Sequence, residues 1–331
     1  MFSVVNRYVY DIYTKNINLG VVAKQGFLIG FIVLLFVFSL FSDEFLQSRN
    51  VMIVISQAAI IGVIAIGVTF VIVGGNLDLS VGSMLSFGAV LVADLHDKIG
   101  AYPAIVCMMM ALLVIGAVNG FLVAYLKLNS LIVTLGMLSV IQGMTLIYTS
   151  GKNVDITAQD TSVFDFINNG TVFEIPVPII LFILLGLAME ILLKGTVFGR
   201  KLFATGGNPK AVLFSGINSA KVVFSTYLLS AFTTGCASIL IASRVMGAQN
   251  TVGQGYELVV LAGVILGGAS LLGGSGSIIK TILGVLVLKF LQNGLLLLGF
   301  QYYIQWVVTW AVIIFAVWLD IAVTRRKLLL D

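Results

Sequence analysis

The chain has 331 residues, of which 60% are hydrophobic and only 10% charged, against roughly 25% charged in a soluble globular chain. That balance excludes an ordinary water-soluble domain, and at about 20 apolar residues per membrane helix the length suffices for roughly ten spans without a sizeable soluble domain. The net charge of +4 is not gathered into a basic patch interleaved with aromatics, so nucleic acid is not an expected partner; the basic residues sit where apolar runs end.

In chain order, the first 25 residues hold Arg7, Asp11, Lys15 and Lys24 without the apolar core of a cleaved signal peptide. Residues 1–24 are therefore expected to be a cytoplasmic segment, with the first span doubling as the insertion signal. Apolar runs bounded by charge, Gly, Pro or Asn follow at 25–41, 51–73, 79–95, 101–125, 131–149, 177–193, 222–243, 257–272, 277–298 and 304–321. The fold class is all-α: a polytopic membrane protein of about ten spans, with one membrane domain over 25–322 and a tail at 323–331.

Short cytoplasmic loops carry the excess of Lys and Arg. With the N-terminus inside, 13 basic residues fall on the cytoplasmic side and four (Arg49, Lys98, Lys152 and Arg244) outside, while Lys289 lies within a span. Both termini are thus expected in the cytoplasm of a bacterium, across its inner membrane. The segment 150–176 agrees, because Asp155, Asp160, Asp165 and Glu174 outnumber Lys152.

Enzyme chemistry finds no support. His96 is the single histidine, HExxH is absent, and the run GGSGSIIKT (273–281) lacks the Gly that must precede the Lys of a phosphate-binding loop. No cofactor is expected, no metal site has the right spacing, and Cys107 and Cys236 read as small buried hydrophobes. An ATPase, if transport is ATP-driven, must come from another chain.

Polar residues within or beside the spans include Gln57, Asn119, Gln142, Glu190, Gln249, Asn250, Gln254, Glu257, Lys289, Gln292, Asn293 and Gln305. Against hydrocarbon they are costly, so each is expected to face another helix or a watered passage. Asp78, with Ser80 and Ser83 close by, either serves such a passage or caps the following helix, where the helix dipole favours it by about 0.3–1 kcal/mol. The pairs Gly116/Gly120 and Gly263/Gly267 supply small faces for close helix approach. Segments 62–84 and 263–278 share an apolar run into Gly-Gly, a polar stretch and a Gly-Ser, a weak sign of two related halves.

The loop 194–221 carries five basic residues and no acid. Asn208 is placed as N-cap, Pro209 as first helical residue and Gly216 as stop, which predicts a short helix through Lys210, Ala211, Val212, Leu213, Phe214 and Ser215 to Ile217. Apolar Val212, Leu213 and Phe214 on a loop that should be polar fit either a helix lying on the membrane interface or one docked into a partner.

Four runs carry a family resemblance: GGNLDLSVGS (74–83), FGRKLFATGGNPKAVLFSGIN (198–218), GYELVVLAGVILGGASLLGGSGS (255–277) and LQNGLLLLG (291–299). On these the chain resembles the ribose-type permeases of ATP-binding-cassette importers, from about residue 25 onward. The resemblance implies two ATPase domains on the cytoplasmic side, an extracytoplasmic solute-binding protein, a second permease copy or relative, and a sugar as substrate. It also makes 208–217 the coupling helix within a coupling loop 194–221, with Val212 in place of a usual Ala. Asn76 stands where the family usually has Gly, and Asn tolerates a left-handed backbone. Asp78, Ser80, Asn119, Gln142, Gln292 and Asn293 are the candidate translocation-path residues. The rival reading is an ion-coupled secondary transporter in which Asp78 or Glu190 carries a proton or sodium ion.

Overall fold

The computed structural model describes residues 19–314. Most of the predicted terminal segments 1–24 and 323–331, and the end of the tenth apolar run, lie outside them. The helices are α1 (Leu19–Phe41), α2 (Ser48–Val73), α3 (Val81–Ile99), α4 (Ala101–Ala124), α5 (Ser130–Thr149), α6 (Ser162–Asn169), α7 (Val177–Gly195), α8 (Val197–Gly207), α9 (Pro209–Phe214), α10 (Ser219–Val245), α11 (Tyr256–Leu266) and α12 (Ile278–Leu297). A final apolar helix, α13, covers Tyr302–Ile314. Strand structure among the described residues is confined to two-residue pieces, Val154–Asp155 paired antiparallel with Gly247–Ala248, and Thr171–Val172 with Ile175–Pro176.

Each of the ten predicted runs falls on a helix. Six helices (α2, α4, α5, α7, α10 and α12) are long and apolar enough to cross a membrane; the apolar helices Ile29–Phe41, α11 and α13 are shorter. The 257–272 run is corrected most: its helix stops at Leu266, because Gly267 packs its Cα on Thr281 and Gly268 turns left-handed at φ +80°. Cys107 is a second correction. It is exposed, on the same apolar face of α4 as Val106 and Met110, rather than buried.

The chain divides into two compact units. The larger, 51–289, is built around α2, in which every residue from Ala58 to Val73 is buried. A helix apolar on all sides has no solvent face to keep and belongs at the centre of a bundle. Glycines set how closely the others approach. Gly67 of α2 lies on Ser230 and Thr233 of α10, where an added Cβ would fall 2.8 Å from the Ser230 Cα. Gly116 and Gly120 of α4 lie on the backbone of Tyr227 and Phe224 of α10, and Gly263 and Gly267 of α11 on α12. These are the small faces read from the sequence, working by direct backbone proximity.

The segment 150–176 is anchored to the far end of α3. Asp97 accepts from the Thr157 amide (2.9 Å) and hydroxyl (2.5 Å) and from the Ala158 amide (3.0 Å). Partial burial pushes the Asp97 carboxyl up, but these donors outweigh it and hold the group below the ordinary carboxylate value. His96, buried in the last turn of α3, meets the ring of Phe164 edge-on at 4.9 Å.

The smaller unit comprises the chain to residue 50 and from residue 290. Phe45, fully buried, lies between Phe38 (5.4 Å between centroids) and Phe290 (5.9 Å). Asn50 and Asn293 exchange side-chain amide bonds at 2.9 and 3.0 Å, satisfying both carboxamides in one contact.

Candidate functional site

Between α2 and α3 the chain breaks. α2 ends in a Schellman-type cap: the Asn76 amide donates to the Val71 carbonyl at 3.1 Å and the Gly75 amide to Ile72 at 2.9 Å. The left-handed residue is Gly75, at φ +77°. Asn76 takes an ordinary conformation and donates its side-chain amide to the Gly74 carbonyl at 3.1 Å, so the tolerance of Asn for left-handed backbone is not what this turn uses.

Asp78, buried to 3% exposure, sits in this break and does not cap α3. Its Oδ1 accepts from the Ser80 amide (3.1 Å) and hydroxyl (2.6 Å), a local Asx turn, while its Oδ2 accepts from the Ser230 hydroxyl of α10 at 2.8 Å. Ser80 Oγ accepts in turn from Asn119 Nδ2 of α4 at 2.9 Å. The Tyr227 hydroxyl donates to the Leu77 carbonyl at 2.9 Å, and the Leu77 amide to Ser130 Oγ of α5 at 3.2 Å. One short break thus ties α3, α4, α5 and α10 together. A buried polar group left without its partner costs about 1–3 kcal/mol, so each member of the network depends on the others.

Of the predicted path residues, Asp78, Ser80 and Asn119 come together in this network. Gln142 lies elsewhere, donating to the Asn250 carbonyl at 2.9 Å. Gln292 and Asn293 belong to the other unit, where both are half-buried. Ser230 and Tyr227 were not among the predicted site residues. The sign of them was present: Thr226, Ser230, Thr234 and Ser238 repeat every four residues along an otherwise apolar span, placing hydroxyls on one buried face.

Glu190 has a different task. Its Oε2 accepts from the Ile278 amide at 2.7 Å and its Oε1 from Ser277 Oγ at 2.9 Å and Lys194 Nζ at 2.5 Å. It closes the first turn of α12 and is ion-paired on its own helix.

The segment 194–221 folds as expected in its local form. Thr196 caps α8 through the Gly199 amide, and Asn208 caps α9 by accepting from the Ala211 amide at 3.0 Å. Pro209 opens α9, and Gly216 stops it at φ +68° while the Ile217 amide reaches back to Val212 at 3.3 Å. Val212 turns inward at 3% exposure, whereas Phe214 projects outward at 90%. Lys194, Arg200, Lys201, Lys210 and Lys221 are all exposed around it.

Immediately before α9, three Gly-Gly pairs from distant sequence are brought together. Gly206 and Gly207 end α8; Gly74 and Gly75 end α2; Gly273 and Gly274 lie in the turn before α12. The Gly274 amide donates to the Val73 carbonyl at 2.9 Å. A Cβ on Gly206 would lie 1.9 Å from the Val73 carbonyl oxygen and 2.6 Å from the Gly274 nitrogen, and one on Gly273 would lie 2.8 Å from Gly75 Cα. The two Gly-Gly turns of the weak sequence repeat therefore meet in space, with the glycines that precede α9 wedged against both.

With this geometry in view, residues 50–317 match the family described as branched-chain amino acid transport system, permease component. The chain belongs to that family and is a membrane transport subunit, not an enzyme. It is 40% identical over 304 residues to the ribose import permease protein of Bacillus subtilis, covering 91% of this chain and 94% of that one. It is 36% identical over 299 residues to the ribose import permease protein of Escherichia coli K12 (90% and 93% covered), and 32% identical over 298 residues to the L-arabinose ABC transporter permease protein of Azospirillum brasilense (90% and 87%). No solved structure matches it significantly.

The glycine junction makes opposite predictions for adjacent residues. Gly206→Ala forces a methyl into backbone and is expected to lower stability by about 1–3 kcal/mol. Gly207→Ala meets nothing closer than Gly274 Cα at 3.6 Å and is expected to be neutral or to stabilise by up to about 1 kcal/mol. Thermal melting of the two purified variants checks this; equal melting temperatures would contradict the junction.

Proposed function

We propose that the chain is the membrane-spanning permease subunit of an ATP-binding-cassette importer for a sugar, working in the bacterial inner membrane as one of two permease copies or relatives. A partner ATPase supplies energy from the cytoplasmic side, and an extracytoplasmic binding protein delivers the solute. The observation that carries this is similarity at 32–40% identity over nine-tenths of the chain to permeases named for ribose and arabinose. The family description names branched-chain amino acids, but full-length likeness to individual pentose permeases is the narrower guide to substrate class.

The membrane domain spans 25–322, crosses about ten times, and keeps the segments 1–24 and 323–331 in the cytoplasm. The bias of basic residues supports this orientation. Single cysteines introduced in a cysteine-free background test it. Position 160 is expected to react with an impermeant thiol reagent added outside intact cells, while 205 and 328 stay silent; the reverse pattern overturns the orientation.

Residues 208–217 act as the coupling helix. The support is a short capped helix that offers Phe214 and Lys210 to solvent, within a segment of five exposed basic residues and no acid, a surface suited to a cleft with an acidic rim. Nucleotide-driven movement of α9 would reach the spans through the glycine junction, which touches both the α2–α3 break holding Asp78 and the turn before α12. The passage then opens to one side at a time. Asp78, Ser80, Asn119, Gln142, Gln292 and Asn293 are proposed to lie along or support it. The ion-coupled alternative is not favoured: the family is one of permease components, and the carboxylates it would recruit are already held, Asp78 by three donors and Glu190 by Lys194 and the start of α12.

Ala211 is exposed, so Ala211→Glu should leave the fold intact while burying an unpaired charge in the ATPase cleft. A cost of several kcal/mol, at about 1.4 kcal/mol per tenfold in affinity, is expected to release the ATPase on co-purification and abolish uptake. Phe214→Asp is expected to do the same. Gly216→Trp is a weaker probe, because the φ of +68° strains any side chain there. Retention of the ATPase and parental uptake in both of the first two variants would contradict the coupling role.

A further inference from the structure

Between Gly247–Ala248 and α11 the chain runs through residues 249–255, QNTVGQG, as a series of tight turns and not as a helix. The Val252 amide donates to the Gln249 carbonyl and the Gln254 amide to Thr251, each at 3.1 Å, and Gly255 turns left-handed at φ +84°. Its depth can be read from α3. The Gly253 amide donates to Ser86 Oγ at 2.9 Å, and a Cβ on Gly253 would fall 1.9 Å from the Gly82 carbonyl oxygen.

Ser86 and Gly82 stand eleven and fifteen residues from Asp97 at the charged end of α3. At about 1.5 Å per residue, Gly253 sits roughly 16–22 Å along that helix from Asp97, beside its first turns, a distance of half or more of a hydrocarbon layer about 30 Å thick. α11, of 11 residues, is about 16 Å long and cannot cross that layer alone. The chain enters the membrane, breaks at 249–255, and resumes as a half-length helix.

The buried side of the break is braced. Gln142 Nε2 holds the Asn250 carbonyl, and Glu257 Oε1 accepts from the Gly255 amide at 3.2 Å with its other oxygen buried over Gly82. The opposite side, Thr251, Gln254 and Gly255, is exposed among the described residues of its unit. Its neighbours include the exposed Lys152 and Asn153, to which Asn250 is hydrogen-bonded at 3.2 and 3.4 Å, whereas the outward faces of α4 and α7 are apolar at Met110, Leu184 and Leu187. Irregular backbone inside a membrane persists only against protein or water, and an uncovered carboxamide and hydroxyl in hydrocarbon would each be costly.

We infer that the 249–255 break lines the translocation passage, with Thr251 and Gln254 as solute-contacting residues and Glu257 as the residue that positions them. Both contacting side chains are neutral, and each donates and accepts hydrogen bonds, chemistry that suits a neutral polyhydroxylated solute. The inference rests on the importer reading for its solute class.

The test uses the assembled transporter in proteoliposomes, with Cys107 and Cys236 replaced and single cysteines placed at 251 and 254, and at 110 and 187 as controls. A small water-soluble thiosulfonate is expected to label 251 and 254 and neither control, and modification at 254 to stop uptake while the ATPase stays bound. Gln254→Leu is expected to cut uptake at least about tenfold, and Gln254→Asn to retain most of it. Absence of labelling at 251 and 254, labelling without loss of uptake, or a 254–254 disulfide between copies with no labelling would each overturn the inference. ATP-driven uptake by the parental complex is measured first. Its failure would refute the importer reading, whereas the labelling pattern decides the passage lining in either case.

Discussion

A buried turn between two packed helices holds amides and carbonyls that water cannot reach, and each must be satisfied by protein. The rest of this fold follows from meeting that demand at the α2–α3 break. Asp78 is the centre of the solution: two donors from Ser80 close the turn locally, and Ser230 ties it to α10. Asn119 and Tyr227 extend the same network to α4 and to the backbone at Leu77. Because every member is buried, removing one strands another, so the break is held as a unit.

A second consequence is the reliance on backbone-to-backbone packing. Where three turns converge there is no room for side chains at Gly206, Gly273 and Gly274, which fill the space with peptide planes alone. Such a contact is stiff. Gly206 and Gly207 meet the end of α2 and the turn before α12 as backbone against backbone, with no side-chain rotamer between them. Close packing of this kind is what allows small shifts to be passed on and not dissipated.

Much of this was legible in the sequence, and for identifiable reasons. Hydropathy is a property of composition over about 20 residues, so each apolar run located a helix. Local capping chemistry likewise needs no tertiary knowledge, and Asn208 and Pro209 marked the start of α9, which ends at Phe214, short of the predicted Ile217. What could not be read was which polar groups meet. Asp78 and Ser230 are 152 positions apart, and only the packing of α10 on the break joins them. Gln142 and Asn293 looked equivalent to Asn119 as polar residues in spans, yet each satisfies a different neighbour. The short α11 was overextended because Gly267, Gly268 and Leu271 keep the run apolar after the helix has ended. Asn76 misled in a subtler way: the left-handed turn exists, but the residue before it takes the strain.

The central claim is that this chain carries a sugar only when a separate ATPase drives it. The most direct measurement is radiolabelled ribose or arabinose uptake into proteoliposomes holding the permease with its ATPase and binding protein, against liposomes holding the permease alone under a proton or sodium gradient. The account predicts ATP-dependent accumulation in the first and none in the second; robust gradient-driven uptake by the permease alone would contradict it.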